Sequence, residues 1–147
     1  MTATTIFFDM DGTIADFYGV KNWLNYLIAS DAFPYKIAKP LIRFNTFARI
    51  LNRLQKKGYK IGIISWLAKN SNPAYDEKVI KAKKDWLKKH LTSVHFDEIH
   101  IVKYGTPKQI FAKTKNDVLF DDEEQNRNNW TGKAFDVNKI IEILKEI

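Results

Sequence analysis

Two carboxylates one residue apart, Asp9 and Asp11, stand at the end of an apolar run and open a glycine turn, Phe7-Phe8-Asp9-Met10-Asp11-Gly12-Thr13. They repel each other unless a proton or a cation lies between them. A strand ending in an ordinary polar turn would also produce an Asp-Gly pair, so this segment alone does not decide. Far downstream, Val118-Leu119-Phe120-Asp121-Asp122 repeats the arrangement. In a parallel sheet all strands end at one edge, and the four acids then converge there. Unneutralised, they would destabilise the fold. A hard divalent cation is the simplest remedy, and Mg²⁺, which takes a few carboxylates and keeps several waters, suits such a donor set.

Two further residues fall at the same edge. Ser65 ends the run Tyr59-Lys60-Ile61-Gly62-Ile63-Ile64-Ser65, and Lys108 follows Gly105-Thr106-Pro107 at a short helix start. Alone, a serine in a turn or one lysine among many is unspecific, and Lys103, Lys113 and Lys115 are rivals for the same place. Next to carboxylates and a cation, a hydroxyl and an ammonium form a pocket for a phosphate.

The elements that must hold these residues alternate. Short β-rich runs at 4–9, 59–65, 97–102, 117–120 and 134–135 are separated by helical patterns at 37–54, 75–91 and 137–147. This alternation predicts an α/β, three-layer, Rossmann-like parallel sheet with helices on both faces. Lys56-Lys57-Gly58 reads as a helix end with its glycine, and Asp136 as a helix cap. The stretch between the first two strands is too long for one crossover helix. Two helical segments, 18–29 and 37–57, split by residues 30–35, suggest a small helical cap insertion at about 17–57. One segment should pack on the sheet and the other over the strand ends.

The chain has 147 residues, 24 Lys and Arg against 17 Asp and Glu, a formal charge of +7, and 45% hydrophobic residues. That suits a single domain with a substantial core and excludes a disordered tail. With no cysteine, disulfides and thiolate chemistry are excluded, and a reducing compartment is the natural setting. No apolar run is long enough to span a membrane, and no export signal opens the sequence. A cytoplasmic protein is the expectation. His90, His95 and His100 lack any metal-ligand spacing.

In order along the chain, Asp9–Thr13, Ser65, Lys108 and Asp121–Asp122 resemble the haloacid-dehalogenase-like (HAD) hydrolases: a DxDGT strand end, a Ser or Thr strand end, a Lys, then paired acids. The resemblance implies that Asp9 is a nucleophile forming an aspartyl-phosphate and Asp11 a general acid and then base. It implies Mg²⁺ held by Asp9, the Asp11 carbonyl and Asp122, with Asp121 orienting that shell. Ser65 and amides near Met10 would bind phosphate oxygens, and Lys108 would neutralise charge. The second acid favours phosphate esters over carbon–halogen bonds.

Within that family, Asp9-Met10-Asp11-Gly12-Thr13-Ile14-Ala15-Asp16-Phe17 is similar to the 5′(3′)-deoxyribonucleotidases. The resemblance implies a small phosphorylated substrate, with (deoxy)nucleoside monophosphates first. Of the rings in the insertion, Tyr18, Trp23, Tyr26, Phe33, Tyr35, Phe44 and Phe47, most belong to packing. Phe17 and Tyr18, directly after the turn, are the better substrate contacts, and Trp66 either walls the pocket or closes the core. Lys78, Lys81, Lys83, Lys84, Lys88 and Lys89 crowd one helix and read as a solvated face whose field attracts anions. The other readings are a phosphatase of nucleic-acid ends or sugar phosphates, and a non-catalytic, basic nucleic-acid-binding domain. Polynucleotide binding is the less favoured, since no zinc-finger spacing or RNA-binding aromatic motif is present.

Overall fold

The computed structural model describes residues 3–147. Its elements are β1 (Thr5–Phe8), β2 (Ala15–Asp16), α1 (Trp23–Ile28), α2 (Phe33–Ile37), β3 (Lys39–Pro40), α3 (Phe44–Lys56), β4 (Lys60–Trp66), α4 (Pro73–His90), β5 (Glu98–Val102), β6 (Val118–Phe120), α5 (Glu124–Asn129), β7 (Lys133–Phe135) and α6 (Ile140–Glu146). Single 3₁₀ turns stand at Lys108–Phe111 and Val137–Lys139. Five strands form one parallel sheet in the order β5-β4-β1-β6-β7. The α/β fold class read from the sequence is the one observed.

β1 lies at the centre because all four of its residues are apolar or uncharged and buried, the pattern of a strand covered on both faces. Alternation divides its side chains. Ile6 and Phe8 join α3, α6 and the C-terminal half of α4 in the main core. Phe7 points the other way, against Ile64, Leu119 and Trp130. From β1 the chain winds outward to β4 and β5, then returns past β1 to β6 and β7. The reversal makes a crevice at the C-terminal ends of β1, β4 and β6, where open α/β sheets bind ligands.

The helix ends follow from local sequence. Gly58, at φ 101, lets α3 stop, and its amide and that of Tyr59 return to the carbonyls of Gln55 and Leu54 at 3.0 and 3.1 Å, a paired C-terminal closure. Asn72 caps α4 by accepting from the Tyr75 amide at 3.0 Å with Pro73 at the first helical position. Asp136 caps a 3₁₀ turn, not α6 itself, accepting from Val137 N at 2.7 Å.

The expected helix over 37–57 is broken. Pro40 lies in β3, paired antiparallel with β2 through Ala15 and Asp16, and α3 begins only at Phe44. The expected split at 30–35 instead contains the start of α2, with Pro34 in its first turn. α3 packs on the sheet through Phe47, Leu51 and Leu54, so the part of the insertion near the strand ends is α1 and α2. α5 has no counterpart in the pattern, because Glu-Gln-Asn-Arg-Asn-Asn carries no apolar stripe.

At the opposite end of the sheet, Asp117 ties three segments together. Its fully buried carboxylate accepts from Thr5 N at 3.0 Å, Lys113 N at 2.8 Å, Thr114 N at 3.2 Å and Thr114 Oγ1 at 2.9 Å. Burial acts to raise its pKa, but those donors outweigh it and hold the carboxyl below its ordinary value. A folded-state value below the unfolded one gives stability that is complete above the unfolded pKa and lost as the pH falls through the folded one. Asp117→Ala should therefore cost about 3 kcal/mol at neutral pH, since the buried Thr5 amide and the part-buried amides of Lys113 and Thr114 lose their acceptor together, lowering Tm by roughly 6–12 °C. Thermal melts should show the difference from the parent protein shrinking below about pH 4.

Candidate active site

Asp9 follows β1, Ser65 lies near the end of β4, Asp121 and Asp122 follow β6, and Lys108 opens its 3₁₀ turn beside them. One oxygen from each of Asp9, Asp121 and Asp122 lies within 4.8 Å of the others. Lys108 Nζ stands 3.1 Å from Asp9 Oδ1 and 2.6 Å from Asp121 Oδ2. The rival lysines are elsewhere: Lys113 pairs with Glu98, and Lys103 and Lys115 are exposed.

The turn after β1 is built by the backbone. The Met10 carbonyl accepts from the amides of Thr13, Ile14 and Ala15, each at 3.0 Å. Gly12 has φ 79, and a Cβ there would meet Asp122 Oδ2 at 2.5 Å, so only glycine lets the two acidic ends approach. The Met10 side chain is buried in the core. Among the described residues, the amides of Met10 and Asp11 find no backbone acceptor, leaving them available to an anion.

Three residues at the site have roles that the motifs do not assign. Thr13 Oγ1 lies 3.2 Å from Asp9 Oδ2 and 3.3 Å from Asp122 Oδ1, so its single proton links the two acids. Asn126, on α5, donates to Asp121 Oδ2 at 3.2 Å, and the Glu123 amide reaches Asp121 Oδ1 at 2.9 Å. Thr13 closes the first motif, whereas Asn126 carries no sequence signal.

The third is Lys83, and it corrects the reading of the α4 lysines as one solvated face. Its residue exposure is 1%. The ammonium donates to Asp11 Oδ2 at 3.0 Å, Ser65 Oγ at 2.6 Å and the Trp66 carbonyl at 2.9 Å, with the Tyr35 ring 5.1 Å away. α4 turns this position inward with Val79, Ala82 and Trp86, while Lys81 points out to Asp85.

The cluster is electrostatically unbalanced. Asp9, Asp11, Asp121 and Asp122 carry four negative charges when ionised, and Lys83 and Lys108 two positive ones, leaving a balance of −4 + 2 = −2. The carboxyls respond. Burial and the charge of Asp9 push Asp121 and Asp122 up. Burial also raises Asp11, partly offset by Lys83. Lys108 is held above its ordinary value, because Asp9 and Asp121 overcome the opposing effect of burial. Three converging carboxylate oxygens, from Asp9, Asp121 and Asp122, fit a hard divalent cation such as Mg²⁺.

Above the acids lies a cavity of about 200 Å³ lined by Phe17, Tyr18, Trp23, Tyr35, Trp66 and Tyr104 among others. Phe17 is a packing residue, stacked on Tyr35 with centroids 4.5 Å apart and 3% exposed. Tyr18 and Tyr104, by contrast, are 51% and 52% exposed. Trp66 is pinned by its indole N–H, which donates to the Thr106 carbonyl at 2.8 Å, and it meets Tyr104 at 5.0 Å; it is a pocket wall.

No family model and no curated protein matches the sequence. Among solved structures the chain is similar to the D,D-heptose 1,7-bisphosphate phosphatase from Burkholderia thailandensis, with 13% identity, coverage of 85% of this chain and 70% of that one, and a TM-score of 0.52. At that identity the likeness is one of fold: the parallel α/β sheet is shared. Among the described residues no helix is long and apolar enough to cross a membrane.

Proposed function

We propose that the protein is a Mg²⁺-dependent phosphomonoester hydrolase of the haloacid-dehalogenase type. The observation that carries this reading is the meeting of Asp9 with Asp121 and Asp122, with Lys108 bridging Asp9 and Asp121. A nucleophilic carboxylate held against an ammonium and two further acids is the apparatus of phosphoryl transfer, not of passive anion binding. The solved phosphatase of similar fold supports the same reaction class.

Asp9 attacks phosphorus, forming a P–O bond to its carboxylate as the bond to the ester oxygen breaks. Asp11 hands a proton to the departing alkoxide. Water then attacks the same phosphorus, Asp11 takes its proton, and Asp9 is released with inorganic phosphate. Lys108 balances the charge of Asp9 through the 3.1 Å contact. Ser65 already receives a proton bond from Lys83, so its own hydrogen is free for a phosphate oxygen, as are the amides of Met10 and Asp11. A bound Mg²⁺ would neutralise charge on the phosphoryl oxygens.

The substrate we assign is a nucleoside monophosphate. Room for about 200 Å³ accepts a phosphoryl group and little more, since enclosed drug-sized ligands need roughly 300 Å³ or above. The rest of the substrate extends out of the cavity past Tyr18 and Tyr104 at its rim, both half exposed, and a base stacked on such a ring gains about 1–3 kcal/mol. The test is phosphate release from 5′- and 3′-mononucleotides, sugar phosphates and phosphorylated oligonucleotide ends, with Mg²⁺ and with chelator. Mononucleotides should turn over at least tenfold better than sugar phosphates, and only with Mg²⁺. Equal turnover across the panel would remove the nucleotide assignment, and no release from any ester would remove the hydrolase.

A further inference from the structure

We infer that Lys83 is a positioning residue that aims Asp11 at the leaving group. This rests on the reaction proposed above and adds a residue to it from a different element, the middle of α4.

The argument starts from donor counting. An ammonium has three N–H bonds and no lone pair. Those of Lys83 meet three acceptors, Asp11 Oδ2, Ser65 Oγ and the Trp66 carbonyl, all between 2.6 and 3.0 Å. No donor remains for a substrate, so Lys83 does not serve as a phosphate ligand. Lys108 differs: its partners are Asp9 and Asp121, and it touches the nucleophile.

The position is also costly, and this points to a use. Burying a lysine inside an apolar helix face demands full pairing, and here the pairing is spent on two reacting-side groups and on the backbone that carries one of them. Ser65 has no exposure, and accepting from Lys83 forces its hydroxyl hydrogen away from α4. Asp11, bonded to Lys83 through Oδ2, cannot swing into the Asp9–Asp121–Asp122 group, where it would be one more carboxylate around the cation. Its other oxygen stays free for the proton transfer. The Tyr35 ring 5.1 Å from Nζ closes the remaining side of the ammonium.

Leaving-group dependence separates this role from general structural support. A p-nitrophenolate needs little protonation as it leaves, whereas an alkoxide needs it fully. With Lys83→Met, kcat/KM for an alkyl phosphate should fall about 100-fold while that for p-nitrophenyl phosphate falls less than about tenfold. Since kcat/KM stops at the first irreversible step, later hydrolysis of the adduct does not enter the ratio. Hydrolysis of the adduct also uses Asp11, so rapid mixing with p-nitrophenyl phosphate should show a burst of p-nitrophenol absent from the parent. The ratio is internal to each preparation, so partial loss of folded protein cancels. If Lys83→Met yields no folded protein, the same ratio is read on Lys83→Gln. Equal losses on both esters, or none, would overturn the role of Lys83 while leaving the hydrolase intact. A parent protein that cleaves neither ester would overturn the reaction itself.

Discussion

Asp9→Asn is expected to lower turnover by roughly 10⁴- to 10⁶-fold, the scale on which removing a covalent nucleophile acts. Asparagine keeps the shape of the side chain and one oxygen, so Thr13 retains an acceptor and Lys108 keeps its 2.6 Å contact with Asp121. The fold should survive, and loss of activity cannot then be assigned to unfolding. What is lost is the second anionic oxygen and the ability to form the adduct. Single-turnover experiments with ³²P-labelled substrate should trap label on the parent protein and none on the variant. A variant that still releases phosphate at a tenth of the parent rate would end the assignment of Asp9, because a general-base role through water is the alternative at such a position.

Asp122→Asn should have the next largest effect, and in two opposite directions. Catalysis should fall by about 10²-fold or more, since one of the carboxylates that would hold the cation becomes a neutral amide. Stability without Mg²⁺ should rise. Asp122 stands beside Asp9 and Asp121, where burial and those charges push its carboxyl up to about 8, so folding without the cation forces it to take up a proton at neutral pH, a cost the amide does not carry. A site arranged for a cation costs stability while empty, and relieving it trades function for stability. For the parent protein, Mg²⁺ at a hundredfold excess over its dissociation constant adds about 2.7 kcal/mol, a rise in Tm of roughly 5–10 °C. In Asp122→Asn that rise should shrink to near zero. Parallel melts with Mg²⁺ and with chelator read both effects, and an unchanged Mg²⁺ response in the variant would place the cation elsewhere.

Both experiments test residues that stand out in the sequence, and the reason is physical. A carboxylate directly after an apolar strand is exceptional wherever it occurs, and two such strand ends leave one edge of a parallel sheet as their meeting place. Ser65 and Lys108 are unspecific alone and stand out only through their order along the chain relative to those acids. Lys83 does not stand out. It sits in a helix with Lys78, Lys81, Lys84, Lys88 and Lys89, and no neighbouring residue type distinguishes the one lysine that is buried from the five that are exposed. The helical period does place it near Val79 and Trp86, but a charge on an apolar face reads as a boundary residue until its partners are known. The same holds for Asn126, whose helix has no stripe to orient it, and for β3, where Pro40 reads equally well as a helix first turn and as an edge strand.

The chain's local chemistry determined its α/β class, most of its strands and helices, and the identity of the acids, because periodicity and strand ends are written in adjacent residues. Which of six crowded lysines turns inward, which rings pack and which stay open beside the cavity, and how the long first crossover divides between a sheet-packed helix and two short ones were decided only by tertiary structure. Those outcomes depend on partners far away in the chain. Ser65 and Asp11 give Lys83 a place to be buried, and no window of sequence around residue 83 contains either of them.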